Sequence, residues 1–88
     1  MTRHFSLLVD DRPETLLRVT GLCLRRRADV VALRYGRSRH AGWARLDLEL
    51  AVDTQPTSSA GTGQRQWRTL VERLNALVGV RDVAELHS

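Results

Sequence analysis

Eighty-eight residues give room for one small domain with one modest core and none for a separate catalytic domain. The net charge of +4 and isoelectric point near 10.9 invite a nucleic-acid reading, but all 14 basic residues are arginine, a bias that reflects GC-rich coding. One cysteine, no long apolar N-terminal stretch and no membrane-length segment exclude a disulfide framework, a cysteine zinc cluster and a spanning helix, and point to a soluble cytoplasmic chain.

His4 to Asp10 alternates, with Phe5, Leu7 and Val9 on one face, and predicts a strand. From about Arg12 to Arg26 the apolar residues Leu16, Leu17, Val19, Cys23 and Leu24 gather on one side of a helical wheel. The dense run Arg25-Arg26-Arg27 falls at that helix's end, where cations suit the dipole and the terminal carbonyls. Asp29 to Gly36 is β-rich, with Val31, Leu33 and Tyr35 set against Val30, Ala32 and Arg34. GRSRHAG, residues 36 to 42, is a turn. Trp43 to Asp53 is the clearest strand: Ala44, Leu46, Leu48, Leu50 and Val52 face one way, and Trp43, Arg45, Asp47 and Glu49 the other. DTQPTSSAGTGQ, about 53 to 64, has a flexible loop's composition. Trp67, Leu70, Val71, Leu74, Leu77 and Val78 follow helical spacing up to a stop at Gly79, and VRDVAEL is a short last strand.

The order βαββαβ with right-handed crossovers gives a ferredoxin-like α+β sandwich over residues 1–88. Both helices lie on one face of a four-stranded antiparallel sheet in spatial order 4-1-3-2. An RNA module of this shape stacks bases on aromatic residues of its central strands. Here the outward positions are Ser6, Leu8, Arg45, Asp47 and Glu49, and the carboxylates would repel phosphate. No nucleic-acid partner is expected. His4, His40 and His87 are scattered without metal-ligand spacing, and Cys23 sits on the apolar helix face as a buried thiol. No catalytic or metal site is expected either.

The segment LLVDDRPETLLRVTGLCLRRRADVVAL, Leu7 to Leu33, resembles the opening of acetolactate synthase small subunits, which are ACT-domain proteins. The shared pattern is an apolar strand, an acidic or Asn-containing turn, Pro, then L-x-R-V-x-G-L, an arginine-rich helix end and an (Asn/Asp)-(Ile/Val)-x-x-L strand. The tail RLNALVGVRDVAEL resembles the family's L-N-x-L-x-x-V-x-x-V ending. The resemblance covers most of the chain except Arg37 to about Arg68. It implies a non-catalytic regulatory subunit that binds and activates a large catalytic subunit in branched-chain amino acid biosynthesis. Thiamine diphosphate, FAD and Mg are then expected on that partner, and none on this chain. A branched-chain amino acid, usually valine, is the effector the resemblance implies.

The departures lie in the turn Asp11-Arg12-Pro13-Glu14. Valine-sensitive relatives carry asparagine where this chain has Asp11 and glycine where it has Glu14, and a third ligand-site asparagine aligns with Asp29. Glycine leaves the first-turn N–H groups open to a carboxylate, whereas Glu14 adds bulk and negative charge. Asp11 and Glu14 also have capping-box spacing, which would consume those donors. The wording PETLxRV is closer to valine-insensitive members, so the turn reads as a closed effector site; a plain helix cap has nearly the same consequences. The second strand, with Val30, Val31, Ala32 and Leu33, is an edge in the order 4-1-3-2, apolar on both faces, and predicts an edge-to-edge homodimer. Leu22, off the main helix stripe, is either a partner contact or a partly exposed lone leucine. Trp43 either anchors an interface or covers one end of its own sheet. A free-standing ACT-type amino-acid sensor controlling another enzyme is the alternative.

Overall fold

The computed structural model describes residues 2–52 and 62–86, without the side chains of 52 and 62–66. Six elements follow in order: β1 (Thr2–Asp10), α1 (Pro13–Arg25), β2 (Ala28–Arg37), β3 (Trp43–Val52), α2 (Thr62–Ala76) and β4 (Val80–Leu86). The sheet order is β2-β3-β1-β4, with every neighbouring pair antiparallel. This is the expected sandwich. Most of the stretch read as a loop, and His87, lie outside the described residues, and α2 opens at Thr62, inside that stretch.

The core is the helix-facing half of the alternation. Phe5, Leu7 and Val9 of β1 and Ala44, Leu46, Leu48 and Leu50 of β3 are fully buried, and Trp67, Leu70 and Leu74 of α2 close over them. Burying a side chain of this size contributes about 1.5–3 kcal/mol. The Phe5 and Trp67 rings meet at 5.6 Å. Cys23, also in this core, has its thiol pushed up to about 11 by burial, a little offset by a backbone hydrogen bond.

In α1 the inward stripe is Thr15, Val19, Leu22 and Cys23. Leu22 is therefore a core residue at 7% exposed, not a partner contact, whereas Leu17 and Leu24 are 70% and 69% exposed. The polar Thr15 at the head of the stripe hid this phase in the sequence. Proline at the first helical position holds Arg12 extended (φ −137°, ψ 137°), as the residue before proline requires. At the other end the Arg26 N–H donates to Leu22 and Cys23 carbonyls, and Arg27 takes a left-handed φ of 58° where glycine is usual. Helix α2 stops at Ala76, so Val78 leaves the expected apolar face and is exposed.

Edge strand β2 departs from simple alternation. Val30 pairs with Leu50 and Ala32 with Glu49, so Val31 is an extra, bulged residue. The bulge reverses the phase. Val30, Leu33 and Tyr35 share the helix-facing side, opposite Leu50, Leu48 and Leu46, while Ala32 and Arg34 join the open face. Grouping Val31 with Leu33 and Tyr35 on one face is thus corrected.

Candidate functional site

The turn between β1 and α1 is tied down by its neighbours. The Asp11 N–H donates to the Gly42 carbonyl (3.0 Å) and the Arg12 N–H to Asp10 (2.8 Å). The Asp11 carboxylate does not cap the helix. It reaches β2, where the Tyr35 hydroxyl donates to Oδ1 (2.7 Å) and Arg37 Nε forms an ion pair with Oδ2 (3.2 Å). The Asp11 hydrogen bond, with its charge, raises the Tyr35 phenol above its ordinary value. The helix has no side-chain cap at all, which corrects the expected capping box: Tyr35 and Arg37 take the carboxylate instead.

The turn is poor in free donors for a different reason. Asp11 and Arg12 have spent their N–H groups, the Thr15 N–H donates to the Arg12 carbonyl (3.2 Å), and Pro13 has none. That leaves the Glu14 N–H, next to Glu14's own carboxylate on the exposed first turn. An anion at this helix start would meet one backbone donor and one like charge.

Behind the turn, Gly79 precedes β4 with φ 94°, and its carbonyl accepts from the Asp10 N–H (2.8 Å). A Cβ here would lie 2.5 Å from Thr15 Oγ1 and 3.2 Å from an Asp10 carboxylate oxygen. Thr15 Oγ1 is buried with no hydrogen-bond partner among the described residues. Sequence reading treated Gly79 only as a helix stop; its role as the close approach between two turns depends on the fold.

Asp29 is not brought to this turn. It lies exposed on β2, opposite Ala51, which pairs in turn with Thr2 at the far end of β1. Eight residues separate Thr2 from Asp10, about 26 Å at about 3.3 Å each. Val31, Ala32 and Leu33 are exposed along the β2 edge, and Val30 is half-buried against the core. Leu17 and Leu24 of α1 are also exposed. Arg18 reaches the Val78 carbonyl on the α2 side, so the opposite flank of α1 (Leu16, Thr20, Leu24) lies toward β2. Trp43 sits at the sheet's end with the Arg81 guanidinium 5.2 Å from its ring centre.

The open sheet face is polar and internally bonded: His4 pairs with Glu49 (3.3 Å), and Arg45 donates to Ser6 (3.0 Å) and Asp47 (3.1 Å). Among the described residues no three His, Cys, Asp or Glu side chains are grouped to hold a metal ion, and no helix is long and apolar enough to cross a membrane.

No protein-family model matches the chain, and no curated protein matches it. Solved structures do. The ACT domain from GTP pyrophosphokinase of Chlorobium tepidum superposes with a TM-score of 0.71 at 15% identity, over 98% of this chain and 97% of that one. The fold is that of ACT domains. The acetolactate synthase small subunit from Thermotoga maritima gives 0.70 at 22% identity, over 99% of this chain. It is the longer protein: this chain spans 48% of it. The C-terminal domain of the MgtC protein from Mycobacterium tuberculosis gives 0.69 at 16% identity, over 99% of this chain and 86% of that domain.

Proposed function

We propose that this ACT-type chain is a regulatory, non-catalytic subunit of an acetolactate synthase, one that activates a thiamine-diphosphate-dependent catalytic partner and responds little to valine. The observation that carries this reading is the β1–α1 turn. Its PETLxRV wording is closer to valine-insensitive small subunits, and its one remaining donor, the Glu14 N–H, stands beside Glu14's own carboxylate. The likeness to the Thermotoga maritima small subunit supports the same reading.

Two copies join through β2 in an antiparallel pair, extending the sheet to eight strands. That arrangement also gives Asp29 a place at the turn. β2 runs alongside β1 in the same direction, so an antiparallel second copy carries the partner's Asp29 toward the first copy's Asp11 end. An effector pocket of this kind is therefore shared between copies, and it contains Asp11, Glu14 and Asp29, all acidic. Like charges of this density disfavour an amino acid's carboxylate.

Co-purification from the native host, followed by reconstitution with the co-purifying enzyme, tests the reading. Increased acetolactate formation, little changed by millimolar valine, is expected. A catalytic subunit that neither binds nor is activated overturns it. The second reading is a free-standing ACT sensor that controls another enzyme. Amino-acid binding by the chain without such a partner would select it.

A further inference from the structure

We propose that the β2–β3 turn and the open sheet face below it form a binding site for a small polyanion of phosphate or carboxylate type. This site is separate from the β1–α1 turn, and its Ser38, Arg39, His40, Trp43 and Arg45 come from the stretch, Arg37 to about Arg68, that the small-subunit resemblance leaves out.

Two adjoining cavities of about 420 Å³ each share Leu8 between them. One is lined by His40, Trp43 and Arg81, and the other by Ser6, Ser38, Arg39 and Arg45. Each is of a size that holds a small metabolite. Their lining is net cationic. Asp82 is the carboxylate that lines them, while Arg39 and Arg81 have no carboxylate in ion-pair range among the described residues. Arg37, also at the rim, is neutralised by Asp11, and Arg45 by Asp47.

The donors are also prepared. Arg81 is the extra residue of a bulge in β4, since Leu8 pairs with Asp82 and Val9 with Val80. Its guanidinium lies over the Trp43 ring, 5.2 Å from the centre, a contact that holds the side chain at the cavity wall. Ser6 Oγ accepts from Arg45 Nε, and Ser38 Oγ accepts from the His40 N–H. Each hydroxyl oxygen is thus engaged as an acceptor, and its hydrogen is left to donate outward. A rim of guanidinium and hydroxyl donors with one carboxylate suits a ligand that only accepts. Charged phosphate and carboxylate oxygens are such acceptors.

The test uses the whole chain with pyrophosphate and citrate as probes, followed by calorimetry and by amide chemical shifts. Saturable binding of at least one probe, with shifts confined to residues 6–8, 38–45 and 81–82, is expected. Binding of pyrophosphate alone assigns a phosphate ligand, and binding of citrate alone assigns a carboxylate. Arg39→Gln with Arg81→Gln should weaken binding at least about tenfold, and Arg39→Gln alone, on an exposed turn, should weaken it measurably. Arg68→Gln with Arg73→Gln removes the same charge from the exposed face of α2 and should leave affinity unchanged. Absence of saturable binding at millimolar probe, or an equal loss in the α2 variant, overturns the proposal.

Discussion

Edge strand β2 carries Val30, Val31, Leu33 and Tyr35 along ten residues, whereas edge strand β4 is seven residues long and carries Arg81, Asp82 and Glu85. Each edge contains one bulge. The inserted residue is Val31 in β2 and Arg81 in β4. A charged, short edge resists pairing with another chain, while a long apolar one invites it. β4 is also tied to the body of the domain, because Glu85 binds Arg3 of β1 and Arg3 lies over Trp67 at 5.1 Å. Among the described residues, the side-chain ties of β2 to the rest of the domain are the Asp11 bonds at its end. One sheet thus has a finished edge and an open one.

The largest expected effect breaks that difference. Leu33→Lys puts a charge on the open edge, and it should weaken self-association at least about a hundredfold, or about 2.7 kcal/mol. Ala84→Lys, an equally exposed position on β4, should leave it unchanged. Sedimentation velocity across micromolar concentrations separates the two. A wild-type chain that is monomeric throughout would remove the basis for the comparison.

Such measurements belong below pH 9, because the core beneath both edges has its own pH limit. Cys23 is raised from 9.0 to about 11 by burial. A raised value in the folded state means stability that is complete below pH 9 and is lost as pH rises through about 11. The shift is worth about 2–3 kcal/mol at about 1.4 kcal/mol per unit. Urea midpoints should fall between pH 9 and 11, and Cys23→Ala should flatten that fall while lowering stability at neutral pH. A smaller expected effect falls on the β4 side. Gly79→Ala meets both the left-handed φ and Thr15 Oγ1, and should cost about 1–3 kcal/mol by the same denaturation assay.

The elements and their order were legible in the sequence because strict alternation in β1 and β3 exposes their phase directly. Three things were not. The face of α1 was read correctly at Val19 and Cys23 and wrongly at Leu17, Leu22 and Leu24, since a buried Thr15 carries no apolar signal. The bulge at Val31 shifts the faces of β2 without any mark in composition, because each residue around it is acceptable on either side. The capping box at Asp11 and Glu14 has the right spacing, yet the contest between a helix cap and a more distant Tyr–Arg pair is decided only by where the sheet puts Tyr35 and Arg37. Local motifs state which bonds are available. Topology decides which are made.

The smallest expected effect probes the link at the open edge itself. Tyr35 is the one tyrosine in the chain, so phenolate absorbance reports it alone. Its hydrogen bond to Asp11 is the largest cause of its raised titration, followed by burial and by Asp11's charge, with Arg37 opposing. The hydroxyl donates only while protonated, so raising pH through its folded value breaks this bond and leaves Arg37 as the β2 partner of Asp11. Asp11→Asn removes the charge and weakens the acceptor, so Tyr35 should titrate at lower pH than in the wild type. Arg37→Gln should move it upward, because the opposing cation is gone. Stability should change little in either variant, since exposed pairs of this kind contribute about 0–1 kcal/mol. Opposite displacements would place Asp11 between Tyr35 and Arg37 in solution; an unchanged titration in Asp11→Asn would show that the carboxylate is elsewhere, with the α1 start as the natural place to look.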